Sequence, residues 1–373
     1  MWRHENIQRL LIDFSLKISA RSFIGANDFY TKTGLDWKED LGLDSIELMD
    51  LAAHANSFFC LFSRKDPVYL LSYTKLDNWV ELIFEARKKD DTILQFQTSG
   101  TSGQSKTVLH QMSFLKREIA FLATLFKTSS QVIPYISSTS IYGFLFSIGL
   151  PHVLNIPVNY PSEISWPEMD VNSLIVSTPY HWQQLINALP EKVAPFQSVT
   201  STSPMPKYLF EQIQQKNIRL TEIYGSTETG GVGFKTNGQN DFSLFPYWEL
   251  KTLENGLAIE DKEMLLTYPL MDYLNPITKQ TFIVKGRKDH QIKIAGKLVN
   301  LQNIQQVISA LQNIGTCTIS VKANAGEPLI QAEIRLLEDN ETTRTIIKQQ
   351  IRHAFEAHEI PRNIYFQNAD TFN

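Results

Sequence analysis

Residues 98–106 constrain the chain most, because they combine glycines, several hydroxyl side chains and a lysine within nine residues. The preceding residues, 92–97, alternate apolar and polar side chains, which predicts a strand. Residues 108–126 carry apolar side chains at helical spacing, which predicts a helix. Such a loop between a strand and a helix suits a phosphate, because glycines let the backbone approach, N–H and O–H groups donate, and lysine supplies charge.

The composition of this loop is also compatible with two alternatives. A solvated turn is equally rich in Ser and Gly. The nucleotide-binding pattern G-x-x-x-x-G-K-[ST] fits in part, since Gly100 opens it and Lys106 with Thr107 closes it. Ser105 stands where that pattern needs its last glycine, which makes the second alternative weak.

Composition limits the class of protein. The chain has 373 residues with 43% hydrophobic and 20% charged residues, which is typical of a globular protein of two or three domains. A net charge of −4 with no basic block argues against nucleic acid as a partner. Cys60 and Cys317 form no metal or redox motif, no signal peptide opens the chain, and no apolar run is long enough to span a bilayer. We therefore expect a cytoplasmic protein without a membrane span.

The first ninety residues predict a small helical segment. Apolar side chains repeat at helical spacing from Ile7 to Ile18, and further helices are predicted from Ser45 to about residue 59 and over residues 70–86. The run from Asp40 to Leu48 resembles the modification site of acyl and peptidyl carrier proteins. That resemblance implies that a phosphopantetheinyl transferase attaches 4′-phosphopantetheine to Ser45. The alternative is that Asp44 and Glu47 form a capping box and the helices only pack on their neighbour.

The rest of the chain decides what the loop at residues 98–106 is. The loop resembles the Thr-Ser-Gly-[Ser/Thr]-[Thr/Ser]-Gly-x-x-Lys signature of the adenylate-forming ligases, which include acyl-CoA synthetases and peptide-synthetase adenylation domains. Residues 222–231 resemble the Tyr-Gly-x-Thr-Glu motif of the same family. Both motifs occur here in the family's order, and alternating strands and helices between them predict a largely parallel sheet.

The resemblance assigns roles to individual residues. Lys106, Thr227 and Glu228 would be catalytic, with Thr227 at the α-phosphate and Glu228 as the Mg²⁺ ligand. Tyr224 would lie against the adenine, since an aromatic face suits a base. The implied nucleotide-binding residues are Thr98, Ser99, Gly100, Thr101, Ser102, Gly103, Ser203, Tyr224, Gly225, Ser226, Asp272 and Arg287.

The segment around Tyr142 resembles the part of the family's acid pocket that often has the sequence His-x-Tyr-Gly. Here Ser140 stands in place of that histidine. The implied pocket residues are Tyr142, Gly143 and Gly230. The alternative is that Tyr142 is an ordinary core aromatic residue.

Residues 286–297 resemble the family's hinge motif, Gly-Arg-x-Asp-x-x-Ile-Lys-x-x-Gly. By this resemblance Arg287 and Asp272 would contact the ribose, although Leu270 and Met271 replace the usual Thr-Gly before Asp272. Asp289 would be the hinge, and Gly296 would line the channel for the thiol. The family carries a lysine near its C-terminus that this sequence lacks, so slow adenylation is expected.

We therefore predict an α/β core of the adenylate-forming ligase type (residues 91–285) and a small α+β C-terminal lobe (286–373). A small all-α, four-helix carrier-like domain (1–90) precedes them. The resemblance implies that the chain uses ATP and Mg²⁺ to activate a carboxylic acid as an acyl-adenylate. The acyl group would then pass to the pantetheine thiol of coenzyme A or of a carrier protein. The alternative is a degenerate ligase that binds a nucleotide or acyl-adenylate as a scaffold.

Overall fold

The structure is a computed structural model that describes most of the chain. The described residues are 1–19, 21, 27–62, 67–97, 107–161, 166, 169–191, 193–253, 256–287, 291–294, 297–322 and 329–367. The chain divides into two compact units. The first unit holds Met1–Thr178, Leu189–Thr202 and Ile213–Val232, and the second holds Pro179–Ala188, Ser203–Gln212 and Gly233–Asn373.

The helices of the described residues are short to medium in length. None of them has both the length and the apolar character needed to cross a membrane. They are α1 (His4–Ile18), α2 (Asn27–Thr31), α3 (Ser45–Phe59), α4 (Leu76–Lys89), α5 (Met112–Leu125), α6 (Ile141–Phe144), α7 (Leu150–Leu154), α8 (Pro179–Ala188), α9 (Lys207–Gln215), α10 (Leu301–Ser309) and α11 (Glu341–Ala354). A 3₁₀ turn lies at Leu70–Ser72, and a π-helical turn at Leu145–Gly149 joins α6 to α7.

The strands lie mostly in the central and C-terminal parts of the chain. They are β1 (Ile93–Gln97), β2 (Thr107–Gln111), β3 (Gln131–Pro134), β4 (Ser173–Ser177), β5 (Gln197–Thr200), β6 (Arg219–Ser226), β7 (Gly230–Thr236), β8 (Phe242–Leu244), β9 (Trp248–Leu253), β10 (Gly256–Asp261), β11 (Thr267–Pro269), β12 (Asp272–Pro276), β13 (Thr281–Arg287), β14 (Gln291–Ile294), β15 (Lys297–Asn300), β16 (Ile314–Lys322), β17 (Leu329–Leu336) and β18 (Asn363–Gln367).

Two of the predicted helices are present in the structure, as α1 and α3. The apolar face of α1 is buried from Ile7 to Leu16. At the start of α3, the Asp44 carboxylate accepts hydrogen bonds from the N–H groups of Ile46 and Glu47, and the Glu47 side chain accepts one from the N–H of Asp44. The predicted capping box is confirmed, and it satisfies backbone donors that a helix start otherwise leaves unpaired.

Residues 1–90 belong to the same compact unit as β1 to β6, so the unit boundary does not follow the predicted boundary near residue 90. The reason lies in buried polar contacts of α1. The Asp13 carboxylate accepts hydrogen bonds from the backbone N–H of Ser138 at 2.5 Å and from its hydroxyl at 2.7 Å. Arg9 donates to the carbonyl of Ser147 at 2.6 Å. These contacts join α1 to the segment that leads into α6 and α7.

The region after residues 98–106 differs from the sequence-based expectation. The sequence predicts a helix for residues 108–111, but they lie in strand β2, and α5 begins only at Met112. Strand β2 pairs with β1 in antiparallel register, with Gln97 opposite Thr107 and Leu94 opposite His110. The helix prediction for residues 108–111 is wrong because pairing with β1 overrides the local helical spacing.

The first unit contains a parallel array of β3, β4, β5 and β6 in that spatial order. Strands β4 and β5 are fully buried, which is typical of parallel strands that are covered on both faces. The predicted parallel arrangement is confirmed for these strands. Carboxyl ends of parallel strands meet at one edge, and β6 runs at that edge into the Tyr224–Glu228 motif.

The second unit is mainly antiparallel. The end of β7 pairs with β8, β8 with β13, and β13 with β12, while β9, β10 and β11 form a separate antiparallel sheet. Strands β14 and β15 form a hairpin. In the C-terminal part, β17 pairs antiparallel with β16 and parallel with β18, and α10 and α11 contribute Ile304, Ile308, Ile347 and Ile351 to a shared apolar core.

Candidate functional site

The Tyr224–Glu228 motif occupies the end of β6 and the turn that leads into β7. Tyr224 and Thr227 are half-buried, whereas Ser226 and Glu228 are exposed. The turn therefore presents a hydroxyl, a carboxylate and part of an aromatic ring within five residues. This combination of groups can contact a nucleotide and a hard cation.

Local bonds and two glycines fix the shape of this turn. The Ser226 N–H donates to Thr229 Oγ1 at 3.1 Å, and the Thr229 hydroxyl donates to the Gly230 carbonyl at 2.9 Å. A Cβ at Gly225 would overlap the carbonyl oxygen of Gly230, and a Cβ at Gly230 would overlap Glu118 Oε2. Gly230 also has a φ of +63°, which favours glycine. The predicted pocket residue Gly230 is thus required by the backbone itself.

His110 holds the turn from strand β2. Its Nε2 lies 2.6 Å from the carbonyl oxygen of Thr227, so the ring donates with the proton on Nε2. The imidazole is only 5% exposed and packs between the rings of Phe96 and Phe114, each with its centroid 5.7 Å away. Because β2 starts one residue after Lys106, this bond connects the motif turn to the strand that follows residues 98–106.

Glu118 holds the other end of the turn from helix α5. Its side chain is 1% exposed, and Oε1 accepts a hydrogen bond from the Gly231 N–H at 2.7 Å. Within the described residues Oε2 has no hydrogen-bond partner, and it faces Gly230. A lone carboxyl group in such surroundings is easier to bury in its neutral form.

Burial governs the ionisation of both side chains. It raises the pKa of Glu118 to about 8, against the opposing effects of the Gly231 N–H and the nearby Arg117 charge. It lowers the pKa of His110, against the opposing effects of the Thr227 carbonyl and the Glu228 charge. Both groups are therefore mainly neutral near pH 7, and the neutral imidazole suits the Nε2–H donor that Thr227 accepts.

Tyr142 lies in α6 and is buried. Its hydroxyl is 3.0 Å from the carbonyl oxygens of both Ser177 and Val199, where β4 and β5 end. A Cβ at Gly143 would overlap the carbonyl oxygen of Ser137, and the Ser140 hydroxyl accepts a bond from the Gly143 N–H at 3.0 Å. Tyr142 thus connects two strand ends, and its proposed contact with an acid stays a prediction.

Three predicted nucleotide contacts lie in the second unit. Ser203 is half-buried in the segment that follows β5. Asp272 begins β12 and stands directly opposite Arg287, the last residue of β13, in the antiparallel register. The structure thus brings together the two residues that are predicted to contact a ribose, although they are far apart in the sequence.

Nine more of the predicted site residues lie outside the described part of the chain. These are Thr98, Ser99, Gly100, Thr101, Ser102, Gly103, Lys106, Asp289 and Gly296. For residues 98–106, the flanking residues Gln97 and Thr107 are paired neighbours in the β1–β2 hairpin. The two ends of the signature stretch are therefore adjacent.

Ser45 is the first residue of α3 and is exposed. Its hydroxyl lies 3.3 Å from the Lys38 ammonium. The neighbouring apolar side chains of Ile46 and Met49 are 71% and 60% exposed. The serine is thus accessible to a modifying enzyme, while the capping box around it also explains its place in the sequence.

The described residues fit one type of metal site and exclude another. They contain no group of three or more His, Cys, Asp or Glu side chains that could enclose a metal ion. Mg²⁺ is commonly held instead by one or two carboxylates together with substrate phosphates and water. An exposed carboxylate on a turn, as at Glu228, suits that second arrangement.

His110 and Glu118 were not identified from the sequence. Glu118 falls on the apolar face of α5, between Leu115, Ile119 and Leu122. A charged side chain at such a position is a recognisable signal of a buried, partnered group. His110 carries a weaker signal, since only its place four residues after Lys106 distinguishes it.

No family model matches the chain. It is similar to curated 4-coumarate–CoA ligases, with 25% identity over 346 residues to that of Halorhodospira halophila, covering 91% of this chain and 88% of the relative. The ligase of Rhodobacter capsulatus is 26% identical over 289 residues, covering 73% of each chain. Because the match to the Halorhodospira halophila ligase covers 91% of this chain, it includes part of residues 1–90.

Solved structures share the fold at low identity. O-succinylbenzoate coenzyme A synthetase (MenE) from Bacillus subtilis, in complex with ATP and magnesium, has a TM-score of 0.60 and 12% identity over 73% of this chain and 66% of that one. ATP-bound MatB from Rhodopseudomonas palustris has a TM-score of 0.55 and 12% identity over 73% of this chain and 63% of that one. The curated relatives are acid–CoA ligases, which indicates that this chain is a ligase, and the solved structures show that it shares the fold of acyl-CoA synthetases.

Proposed function

We propose that the chain uses Mg·ATP to convert a carboxylic acid into an acyl-adenylate and then transfers the acyl group to the pantetheine thiol of coenzyme A. Thr227 and Glu228 would contact the phosphates and Mg²⁺, and Lys106 would offset phosphate charge. The curated relatives support this reaction class, because those matched over most of the chain are acid–CoA ligases.

One observation carries the proposal. His110 donates to the carbonyl of Thr227, so the strand that follows the signature stretch holds the turn that bears Thr227 and Glu228. The strand that follows the signature stretch and the turn that bears Thr227 are separated by more than a hundred residues in the sequence, yet they are in contact in the first unit. A site that joins phosphate and metal contacts needs this kind of convergence.

The chemistry follows from these groups. The acid's carboxylate oxygen would attack the α-phosphorus of ATP, the bond to the bridging oxygen would break, and pyrophosphate would leave. The thiolate of coenzyme A would next attack the acyl carbon, and AMP would leave with the electrons of the acyl–oxygen bond. When bound, Mg²⁺ supplies positive charge that offsets the phosphates. The Thr227 hydroxyl would orient the α-phosphate while charge shifts.

The acid is proposed from the relatives. They are named for 4-coumarate, so an aromatic acid is the first class to test, with medium and long fatty acids as the second. Transfer to a carrier protein instead of coenzyme A belongs to the same proposal, because both present the same thiol.

Pyrophosphate exchange with a panel of acids tests this function. We expect slow pyrophosphate exchange with ATP and an aromatic acid, dependence on Mg²⁺, and little exchange with GTP. Isothermal titration with ATP, AMP and GTP runs beside it. Adenine-nucleotide binding without exchange for any acid would favour the alternative, a degenerate ligase that acts as a scaffold. No adenine-nucleotide binding at millimolar concentration would contradict both.

A second candidate function is supported by the surface around Ser45. We propose that this serine accepts 4′-phosphopantetheine from a phosphopantetheinyl transferase, because it is exposed at a helix start beside exposed Ile46 and Met49. Intact mass after incubation with coenzyme A and a broad-specificity transferase is expected to rise by one phosphopantetheine group.

The Ser45→Ala variant should abolish the mass increase. The matched control is Ser72→Ala, which replaces an exposed serine in the 3₁₀ turn before α4 and should leave the mass increase unchanged. An unchanged mass of the wild-type protein would leave α3 as a packing element. A mass increase that persists in Ser45→Ala would show that another residue is modified.

A further inference from the structure

Two buried side chains grip the motif turn at its two ends, and neither belongs to a motif of the family resemblance. We infer that His110 and Glu118 are positioning residues that hold the turn bearing Thr227 and Glu228 in the geometry that adenylation needs. The inference rests on the proposed function for its catalytic consequence, but the grip itself can be tested without any activity.

The two contacts are complementary. His110 donates to the carbonyl of Thr227 at 2.6 Å, and Glu118 accepts from the N–H of Gly231 at 2.7 Å. The held atoms flank the turn, which has its own internal bonds between Ser226 and Thr229. His110 holds a backbone acceptor, and Glu118 holds a backbone donor. A displacement of the turn's backbone would therefore break at least one of these two hydrogen bonds.

Both anchors come from one corner of the fold. Strand β2 ends at Gln111 and helix α5 starts at Met112, so His110 and Glu118 are carried by consecutive elements. Phe114 of α5 packs against the His110 ring, and it also lies beside Gly230. A packed corner of this kind holds its side chains in fixed rotamers.

A buried polar group can also serve stability alone. Its loss would then lower the melting temperature without loosening the motif turn or slowing adenylation. Glu118 Oε2 has no hydrogen-bond partner among the described residues, and this leaves a buried carboxyl oxygen unsatisfied at an energetic cost. An apolar side chain at position 118 would avoid that cost. The Oε1 bond to Gly231 and the space that Gly230 leaves for Oε2 both place the Glu118 carboxyl group against the motif turn.

The test uses the full-length protein with paired variants. His110→Ala and Glu118→Ala remove the anchors, whereas His110→Gln and Glu118→Gln keep a side-chain donor and acceptor, respectively. Trp79→Phe is the matched control, because Trp79 is fully buried and its ring N–H donates to the Tyr73 carbonyl at 2.9 Å, far from the turn in sequence. Readouts are amide hydrogen exchange of a peptide that spans residues 222–233, thermal melting, and pyrophosphate-exchange kinetics.

In both alanine variants we expect at least about tenfold faster exchange of the turn amides, the factor that a 1.4 kcal/mol loss of local stability produces. Pyrophosphate exchange is expected to fall about 10²-fold in kcat with a small change in the KM of the acid, because a misplacement near 1 Å can cost that much. The glutamine variants should recover most of both losses. Trp79→Phe should lower the melting temperature without changing the hydrogen exchange of the turn or the kinetics of pyrophosphate exchange.

Two outcomes would overturn the inference. The turn amides of the alanine variants could exchange at wild-type rates, or kcat per folded molecule could stay unchanged although the melting temperature falls. If the wild-type protein shows no pyrophosphate exchange with any acid, the proposed function fails. Hydrogen exchange of the turn then still decides whether His110 and Glu118 hold it.

Discussion

Replacing Glu228 with Gln is expected to lower the rate of pyrophosphate release by about 10²–10³-fold, by analogy with the loss of one preorganised charge-stabilising group. The substitution keeps the shape of the side chain and removes its negative charge, which a hard cation requires. Because Glu228 is exposed, the folded structure should be unaffected. The measurement is the initial rate over a range of Mg²⁺ concentrations, in which the variant should need more Mg²⁺ to reach half of its maximum rate.

The matched control is Glu211→Gln, which removes the same charge from an exposed position on α9. It should retain the wild-type rate and the wild-type dependence on Mg²⁺. An unchanged Mg²⁺ dependence in Glu228→Gln would contradict the assignment of this carboxylate as the metal ligand, even if the overall rate fell.

We expect the free energy of unfolding of the wild-type protein to decrease between about pH 4.5 and pH 8. The Glu118→Gln variant should lack the part of this decrease that Glu118 causes. The pKa of Glu118 rises from its ordinary value of 4.5 to about 8 in the folded protein, because the carboxyl group is buried. Between these values the native state holds a proton that the unfolded state has released, so stability falls as pH rises. The stabilisation that the neutral Glu118 carboxyl group provides is complete below about pH 4.5 and is lost by about pH 8.

The expected size is on the order of 5 kcal/mol, since each pKa unit corresponds to about 1.4 kcal/mol. The positive charge of Arg117, the preceding residue on α5, opposes the rise of the Glu118 pKa, and its effect is already part of that shift. Urea unfolding of the wild-type protein and of Glu118→Gln at pH 5, 6.5 and 8 measures the difference. Glu211→Gln is the control for the loss of one carboxylate. Parallel pH dependences of the wild-type protein and Glu118→Gln would show that Glu118 is ionised in the native state.

Local features of this fold could be predicted from the sequence because their causes are local. Asp44 and Glu47 lie three residues apart, and their reciprocal bonds need only the first turn of α3. The strand before the signature stretch and the buried strand β4 also follow from short patterns of apolar residues. The motif around Thr227 predicts a functional turn at this point of the sequence, and the roles of its side chains stay predictions.

Features that depend on distant partners were missed. Residues 108–111 have helical spacing of apolar side chains, yet they form β2 because they pair with β1. His110 and Thr227 are 117 residues apart, and Glu118 and Gly231 are 113 residues apart. No short pattern encodes such contacts. The contacts that connect α1 to later segments are also long-range and involve Asp13 and Arg9, two polar residues within a helix. The domain boundary near residue 90 stays a prediction.

The anchoring of α1 has a consequence for the birth of the protein on the ribosome. Asp13 is translated 125 residues before its hydrogen-bond partner Ser138. At synthesis rates of about 5–20 residues per second, the partner follows after roughly 6–25 s. During that interval the Asp13 carboxylate has only water and nearby side chains as partners. Helix α1 therefore lacks its bonds to Ser138 until the segment that contains this serine is translated.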